Sequence, residues 1–530
     1  MDTGRHAPAQ STHSIVHNTH VYLDMNKLTR ILAIAAVTAM AVPAGFAADR
    51  LVILHTNDTH SQIDPDDNTD LGGVLRRKVL IDSVRAVEPN VMVIDAGDVV
   101  QGSLFFNLYG GDVENKLMDA MGYDIRILGN HEFDNGSEEL AKKIKDTKSQ
   151  WLSTNYKITL PGLKEKFAPY TTRTFDGKKI GFIALNLDPK GIVSEGNYDG
   201  IEYMDLYDAA NATAWYLKNL DGCDMVVAIT HIGYEPTATG TSDLQLAPRS
   251  RDIDIIIGGH SHTVIDPAAK DAHKPYLVPN ANGDFVLVTQ TGKSGRNLGE
   301  ITIDLDKLTS DYRLIPVNKR LDNRLDPKTA AIIAPYRRGV DSLMNVKVAR
   351  SAIELRNDQP AMLNFVADFI KVRGDELAPN VDFAMTNKGG LRRSLPKGDI
   401  TEGQVMMALP FNNKVEVIDI TGKDLLENFD VMALYGGNGV SKEVDITYDP
   451  KTHKCVKALI NGKPVDPKKT YRLATIDYLA NGGDYMTPLT RGVKVAASKN
   501  ILSTDILHWM RTALKGKTIN PSTAERMRPL

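Results

Sequence analysis

Short, uninterrupted apolar runs recur through the first half of the chain. They include Leu51-Val52-Ile53-Leu54, Val91-Met92-Val93-Ile94, Ile125-Arg126-Ile127-Leu128, Ile180 to Leu185, Met225 to Ile229 and Ile253 to Ile257. Their length and β-branched content predict buried strands. Val74 to Val87 and Ser137 to Lys148 lie between them and carry charge at helical spacing. Strands alternating with helices predict an α/β layered domain.

The pattern changes over residues 306–350. Lys307 to Leu325 is largely polar, and Asp326-Pro327 then reads as an N-cap followed by proline at the first helical position. The helix is expected to run to about Leu343, with a kink or break at Pro335. This stretch is the expected linker. A second α/β domain is expected over 351–530, opening with a helix from Gln359 to Val372 and continuing with strands at Val381 to Met385 and Val415 to Ile420. The first domain then occupies residues 48–305.

The N-terminus belongs to neither domain. Met25 to Arg30 is short and basic, Ile31 to Val42 is apolar apart from Thr38, and Pro43-Ala44-Gly45 ends the run ahead of Ala47 and Ala48. This is the three-part pattern of a secretory signal peptide, so residues 25–47 are read as one and residues 1–24 as an extension from a start codon placed too early. The run falls short of the ~20 residues that span a bilayer. The expected location is therefore periplasmic or secreted, without a stable membrane anchor after cleavage. Charge narrows the partners. With 63 Lys and Arg against 66 Asp and Glu, the net charge of −3 argues against binding a nucleic acid polymer. No obligate protein partner is evident. The two cysteines, Cys223 and Cys455, fall in different expected domains and are read as free thiols.

The chemistry gathers where the strands end. Leu54 is followed by His55-Thr56-Asn57-Asp58-Thr59-His60, and Ile94 by Asp95-Ala96-Gly97-Asp98. Leu128 is followed by Gly129-Asn130-His131-Glu132-Phe133-Asp134, Ile229 by Thr230-His231, and Ile257 by Gly258-Gly259-His260-Ser261-His262. A single Asp or His after a strand is usually a turn residue or a helix cap. Here the distribution decides. Of the 13 histidines four precede the signal segment, and five of the other nine (His60, His131, His231, His260 and His262) fall in these clusters. The carboxyl ends of parallel strands gather along one sheet edge, where sites form. Asp, Asn and His are donors for Zn²⁺ or Mn²⁺. His55 is out of step with the pattern and reads as a packing residue.

In order, Asp58-x-His60, Gly97-Asp98, Gly129-Asn130-His131-Glu132, His231 and Gly259-His260-x-His262 resemble the signature of the calcineurin-like metallophosphoesterases, in their 5′-nucleotidase branch. The resemblance implies an N-terminal four-layer α/β/β/α sandwich joined by a linker helix to a C-terminal α/β substrate-binding domain. It implies two divalent metal ions, one held by Asp58, His60, Asp98 and His262 and the other by Asp98, Asn130, His231 and His260, with Asp98 shared. It also implies that 5′-nucleotides are hydrolysed to nucleoside and phosphate by attack of a metal-bound hydroxide. His131, oriented by Asp134, would then steady the transition state or assist the leaving oxygen.

Motifs in the second half point the same way. Asn387-Lys388-Gly389-Gly390-Leu391-Arg392 resembles the family's Asn-Gly-Gly-Gly-Ile-Arg, with Lys388 in place of a glycine. Pro410-Phe411-Asn412-Asn413 and Asp477-Tyr478 through Gly482-Gly483-Asp484 resemble its base- and ribose-binding segments. The implied substrate contacts are Phe411 and Tyr478 sandwiching the base, Asn387 and Arg392 on phosphate or ribose, Asp484 on the ribose hydroxyls, and Asn413 and Arg356 nearby. Two further activities occur on the same framework: 2′,3′-cyclic nucleotide phosphodiesterase with 3′-nucleotidase activity, and UDP-sugar hydrolysis. A reading from another class is an inactive nucleotide-binding surface protein. The retained Asp98, His131 and Asp134 argue against it.

Overall fold

The computed structural model describes residues 49–66, 69–236 and 241–530. The expected extension over 1–24 and signal peptide over 25–47 lie outside the described residues. The first half is built on two sheets. One has seven strands in the order Thr309–Pro316, Asn297–Asp304, Arg50–Thr56 (β1), Val91–Asp95 (β2), Ile125–Ile127 (β3), Gln150–Leu152 and Phe167–Ala168. The other has six, in the order Leu277–Pro279, Phe285–Thr289, Ile255–Ile257, Met225–His231, Lys178–Asn186 and Tyr170–Phe175. β1, β2 and β3 run parallel to one another. So do Lys178–Asn186, Met225–His231 and Ile255–Ile257.

Side-chain alternation explains the unbroken apolar runs. Leu51 and Ile53 of β1 share one core with Ile94, Ile125, Phe182 and Ile229, between the sheets. Val52 and Leu54 point the other way, into a core with Val74, Ile81 and Leu117 from the helices Val74–Arg85 and Asp112–Met121. A strand covered on both faces has no polar side to alternate with. The result is the four-layer α/β/β/α sandwich that the family resemblance implied.

Asp326 caps the helix Pro327–Met344 by accepting from the backbone N–H groups of Lys328 and Thr329. The helix continues through Pro335, where a break or kink was expected. Packing holds the turns on either side. Ile333 is buried against the first half, and Tyr336 meets Tyr109 edge to face with ring centroids 4.8 Å apart. The second half forms on a five-stranded sheet, Gly439–Val440, Phe383–Thr386, Thr470–Ile476, Lys414–Thr421 and Val493–Ile501, against which the helix Pro360–Leu377 packs. Cys223 and Cys455 are free thiols. Among the described residues no helix is long and apolar enough to cross a membrane.

His55 is a packing residue, as its sequence position suggested. It is fully buried, its ring stacks on Tyr312 at 5.7 Å, and neither ring nitrogen has a hydrogen-bond partner. Burial lowers its pKa to about 3. An unfolded chain binds a proton at His55 below about pH 6.5, whereas the folded chain does not. Its contribution to stability is therefore whole above that pH and is lost as pH falls toward 3. Replacing it by leucine, which does not titrate, should flatten this dependence. Relative to the variant, the wild type should lose about 2 kcal/mol between pH 7.5 and pH 5, read from denaturant midpoints. Parallel pH profiles would show that His55 does not titrate on unfolding.

Candidate functional site

Five of the strand ends deliver the site, three from the first sheet and two from the second. The loops after β1 and β2 are zipped together by backbone bonds from Asp58 N to Gly97 O, His60 N to Asp98 O and Ser61 N to Val99 O, at 2.9, 3.0 and 2.7 Å. Asp58, His60, Asp98, His260 and His262 all have positive φ. For residues other than glycine this conformation costs roughly 1–2 kcal/mol each and persists where the surroundings dictate it. Here it turns side chains from separate strands toward one point. The glycines beside them permit the approach. A Cβ on Gly129 would overlap the Asp98 carboxylate, and one on Gly259 would lie 2.8 Å from His231 Nδ1.

Asp58, His60 and His262 bring one donor atom each within 4.8 Å of one another, and so do Asp98, His231 and His260. Asn130 joins the second group through Oδ1, 2.9 Å from His260 Nδ1. His131 also has a ring nitrogen within the same reach of His60 and Asp98. Asp58 and Asp98 are 0% and 1% exposed. His231 donates from Nδ1 to the Ala96 carbonyl at 2.7 Å, which leaves Nε2 facing Asp98 Oδ2 at 3.2 Å. Two acceptors in contact need a positive charge between them, either a second ring proton or a cation. His60 Nε2 and His262 Nε2 likewise meet at 2.9 Å, and His60 Nδ1 is buried without a partner. The donor set of imidazoles, carboxylates and one amide oxygen fits divalent metal ions.

The electrostatics agree with that fit. Burial pushes the imidazoles of His260 and His262 down to about 3 and that of His60 well below its ordinary value, so their ring lone pairs are free. Burial raises Asp58 to about 7. Burial also opposes the charge on Asp98, but His231 and His131 outweigh it and hold that carboxyl well below the usual range. His231 is the counterpart: Asp98 overcomes burial and lifts it to about 10.

His131 sits at the rim of the cluster, within donor reach of His60 and Asp98 and also in contact with groups beyond them. Its Nδ1 lies 3.0 Å from Asp134 Oδ2, and its Nε2 lies 3.5 Å from Arg392 Nη2, which comes from the second half. Burial disfavours the imidazolium, yet Asp134 and Asp98 more than compensate and raise its pKa. The Phe411 ring stacks on that of His131 at 5.9 Å. A cavity of about 480 Å³ opens here, lined from the first half by Asn130, His131 and Asp134 and from the second by Asn387, Arg392, Phe411, Asn413, Tyr478 and Asp484. Asp484 accepts from Asn387 Nδ2 at 2.6 Å and from the Tyr478 hydroxyl at 2.8 Å. Arg356 is not part of this lining; its guanidinium is exposed and pairs with Asp358.

Several supporting residues were not singled out from sequence. The Glu132 carboxylate accepts from the N–H groups of Asp98, Val99 and Gly129, tying two ligand loops together. Asn57 bridges Asp58 to the Thr291–Gly292 backbone. Gln101 Oε1 accepts from Arg392 at 3.1 Å, and Gln62 Oε1 from Arg393 at 2.7 Å. These two amides follow the ligand loops closely and grip consecutive arginines of the second half.

A clustered His/Asp/Asn centre at the strand ends of an α/β/β/α sandwich defines a metallophosphoesterase. Residues 51–264 match the family described as calcineurin-like phosphoesterase, and residues 342–491 match that described as 5′-nucleotidase, C-terminal domain. The chain belongs to the 5′-nucleotidase family of phosphoester hydrolases, which joins these two domains. It is 28% identical to a 5′-nucleotidase of Rattus norvegicus, over 82% of this chain and 83% of that protein. It is 27% identical to a trifunctional nucleotide phosphoesterase protein of Bacillus subtilis over 82% of this chain, and it spans only 32% of that longer protein. The solved 5′-nucleotidase precursor of Thermus thermophilus superposes with a TM-score of 0.79 at 28% identity, covering 91% of this chain and 99% of that one.

Proposed function

We propose that the protein hydrolyses nucleoside 5′-monophosphates to nucleoside and phosphate, outside the cytoplasm, at a centre of two divalent cations, Zn²⁺ or Mn²⁺. The observation carrying this reading is the meeting of Arg392 and Phe411 with His131, which joins the metal-ligand cluster to an aromatic-lined cleft in one cavity. Asp58, His60, Asp98 and His262 would hold one ion, and Asp98, Asn130, His231 and His260 the other. Ions held there would polarise the phosphoryl oxygens and lower the pKa of water. Arg392 binds the phosphate and neutralises its charge. Asn387 and Asp484 take the ribose. Phe411 and Tyr478 take the base through their ring faces. His131, held by Asp134, gives its proton to the ribose 5′-oxygen as the P–O5′ bond breaks and a water oxygen bonds to phosphorus. Export rests on the residue pattern of the N-terminal segment.

Phosphate release from AMP, 2′,3′-cyclic AMP and UDP-glucose tests this. The protein is stripped with chelator, then reloaded with Mn²⁺ or Zn²⁺. Release from AMP that vanishes on stripping and returns on reloading is the expected result. Turnover of the cyclic nucleotide alone would move the assignment to the phosphodiesterase. Silence on all three substrates with metal bound would leave a nucleotide-binding protein without this activity.

A further inference from the structure

Lys388 stands where the resembling motif has glycine, and the structure shows where that extra side chain goes. It reaches toward the turn at Gly436. Its Nζ donates to the Gly436 carbonyl at 2.8 Å, while its backbone N–H donates to Asn438 Oδ1 at 3.0 Å. It lines a second cavity of about 550 Å³, which shares Ile192, His260, Gly389 and Asp484 with the nucleotide cleft. Asp484 therefore stands at the neck between two chambers.

The second chamber has a definite chemistry. Tyr435 and Tyr485 supply aromatic surface, and Tyr485 is seated against the first half, where a Cβ on Gly191 would lie 3.0 Å from its ring. The acids in the lining already have partners. Asp484 accepts from Asn387 and Tyr478, and Asp188 accepts from the backbone N–H of Lys190. Lys388 makes no ion pair among the described residues, and its one hydrogen bond goes to a neutral carbonyl. An ammonium has three donors, so two remain for a ligand. The chamber thus offers one cation and three tyrosines, Tyr203, Tyr435 and Tyr485, in a volume suited to a small-molecule group.

We propose that this chamber is a subsite for a second nucleotide unit linked through a phosphodiester to the ribose held at Asp484, so that the protein also removes the terminal phosphate from 5′-phosphorylated dinucleotides. The inference rests on the nucleotidase reading above. A ribose at the neck directs its base toward Phe411 and Tyr478 and its 5′-phosphate toward His131 and Arg392. Its 2′-hydroxyl keeps Asp484 as acceptor, while its esterified 3′-oxygen, with no hydrogen to give, faces the second chamber. A bridging phosphodiester carries one negative charge, which Lys388 meets, and the second base stacks on the tyrosines. The reaction is unchanged. Water adds to the terminal phosphorus, the P–O5′ bond breaks, the 5′-oxygen takes a proton, and the diester stays intact.

The test compares AMP with 5′-phosphorylated diadenylate in the wild type and in Lys388→Gly, which restores the family residue. The wild type should release phosphate from both. The variant should show a KM for the dinucleotide raised roughly tenfold, the loss expected for one charge-assisted contact, with kcat and KM for AMP unchanged. Hydrolysis of AMP without hydrolysis of the dinucleotide overturns the inference and leaves the nucleotidase reading standing. An equal rise in KM for both substrates also overturns it, because Lys388 would then serve the first chamber. If neither is hydrolysed the nucleotidase reading fails. Calorimetric titration of the dinucleotide into both proteins then decides the subsite, and equal affinity overturns it.

Discussion

Asp98→Ala is expected to lose bound metal and phosphate release together, each by more than about 10²-fold, the upper range seen when only a residue supporting a ligand is removed. The reason is its position. Asp98 lies within donor distance of His231 and His260 on one side and of His60 and His131 on the other. Its Oδ1 accepts from the His131 backbone N–H at 2.9 Å, and its own N–H donates to Glu132 at 3.0 Å. The carboxylate is therefore both the anion around which the imidazoles gather and a strut between the β2 and β3 loops. Asp98→Asn separates the two parts. It keeps the shape and one acceptor oxygen, so the loops should hold while the charge is gone. Metal content by atomic absorption should fall in both variants. Full metal content in Asp98→Ala would show that the two groups of donors bind their ions independently of it.

The site was legible in sequence to the extent that its chemistry is local. Repeated Asp, His and Asn-His after strand ends marked where the donors gather, and the resemblance to the metallophosphoesterase signature then picked out Asp58, His60, Asp98, Asn130, His231, His260 and His262 together. The arrangement behind them was not local. One sheet edge was expected to collect all five strand ends, whereas β1 to β3 belong to one sheet and Met225–His231 and Ile255–Ile257 to another. That pairing depends on contacts between distant residues, which periodicity does not report. Gln101 and Gln62 were hidden for the same reason, since their partners Arg392 and Arg393 lie 291 and 331 residues away. Arg356 shows the reverse case. The resemblance placed it near the substrate without a motif of its own, and its guanidinium is exposed, paired with Asp358 two residues on. Lys388 was visible as a departure from its motif, and only the fold shows that it faces a second chamber.

His131→Ala should lower kcat by about 10² to 10⁴, the range for losing a positioned proton donor, while metal content stays at the wild-type level. The geometry makes this a sharp test, because His131 occupies two positions at once. Its ring comes within donor distance of His60 and Asp98, as a ligand's would. Yet Nδ1 is committed to Asp134 at 3.0 Å, and Nε2 faces Arg392 across the cleft at 3.5 Å. An imidazole fastened at Nδ1 by a carboxylate is oriented to act through Nε2, the atom nearest the arginine that would hold phosphate. Asp134→Asn should fall between wild type and His131→Ala in kcat. The amide oxygen can still accept from Nδ1, but the charge that favours the imidazolium is lost. KM for AMP should move little in either variant if base and ribose are held by the second half. Loss of one metal equivalent in His131→Ala would reassign the residue to the cluster and leave the leaving oxygen without its donor. Retention of metal with a collapsed kcat would place His131 in the catalytic step and outside the metal-ligand set.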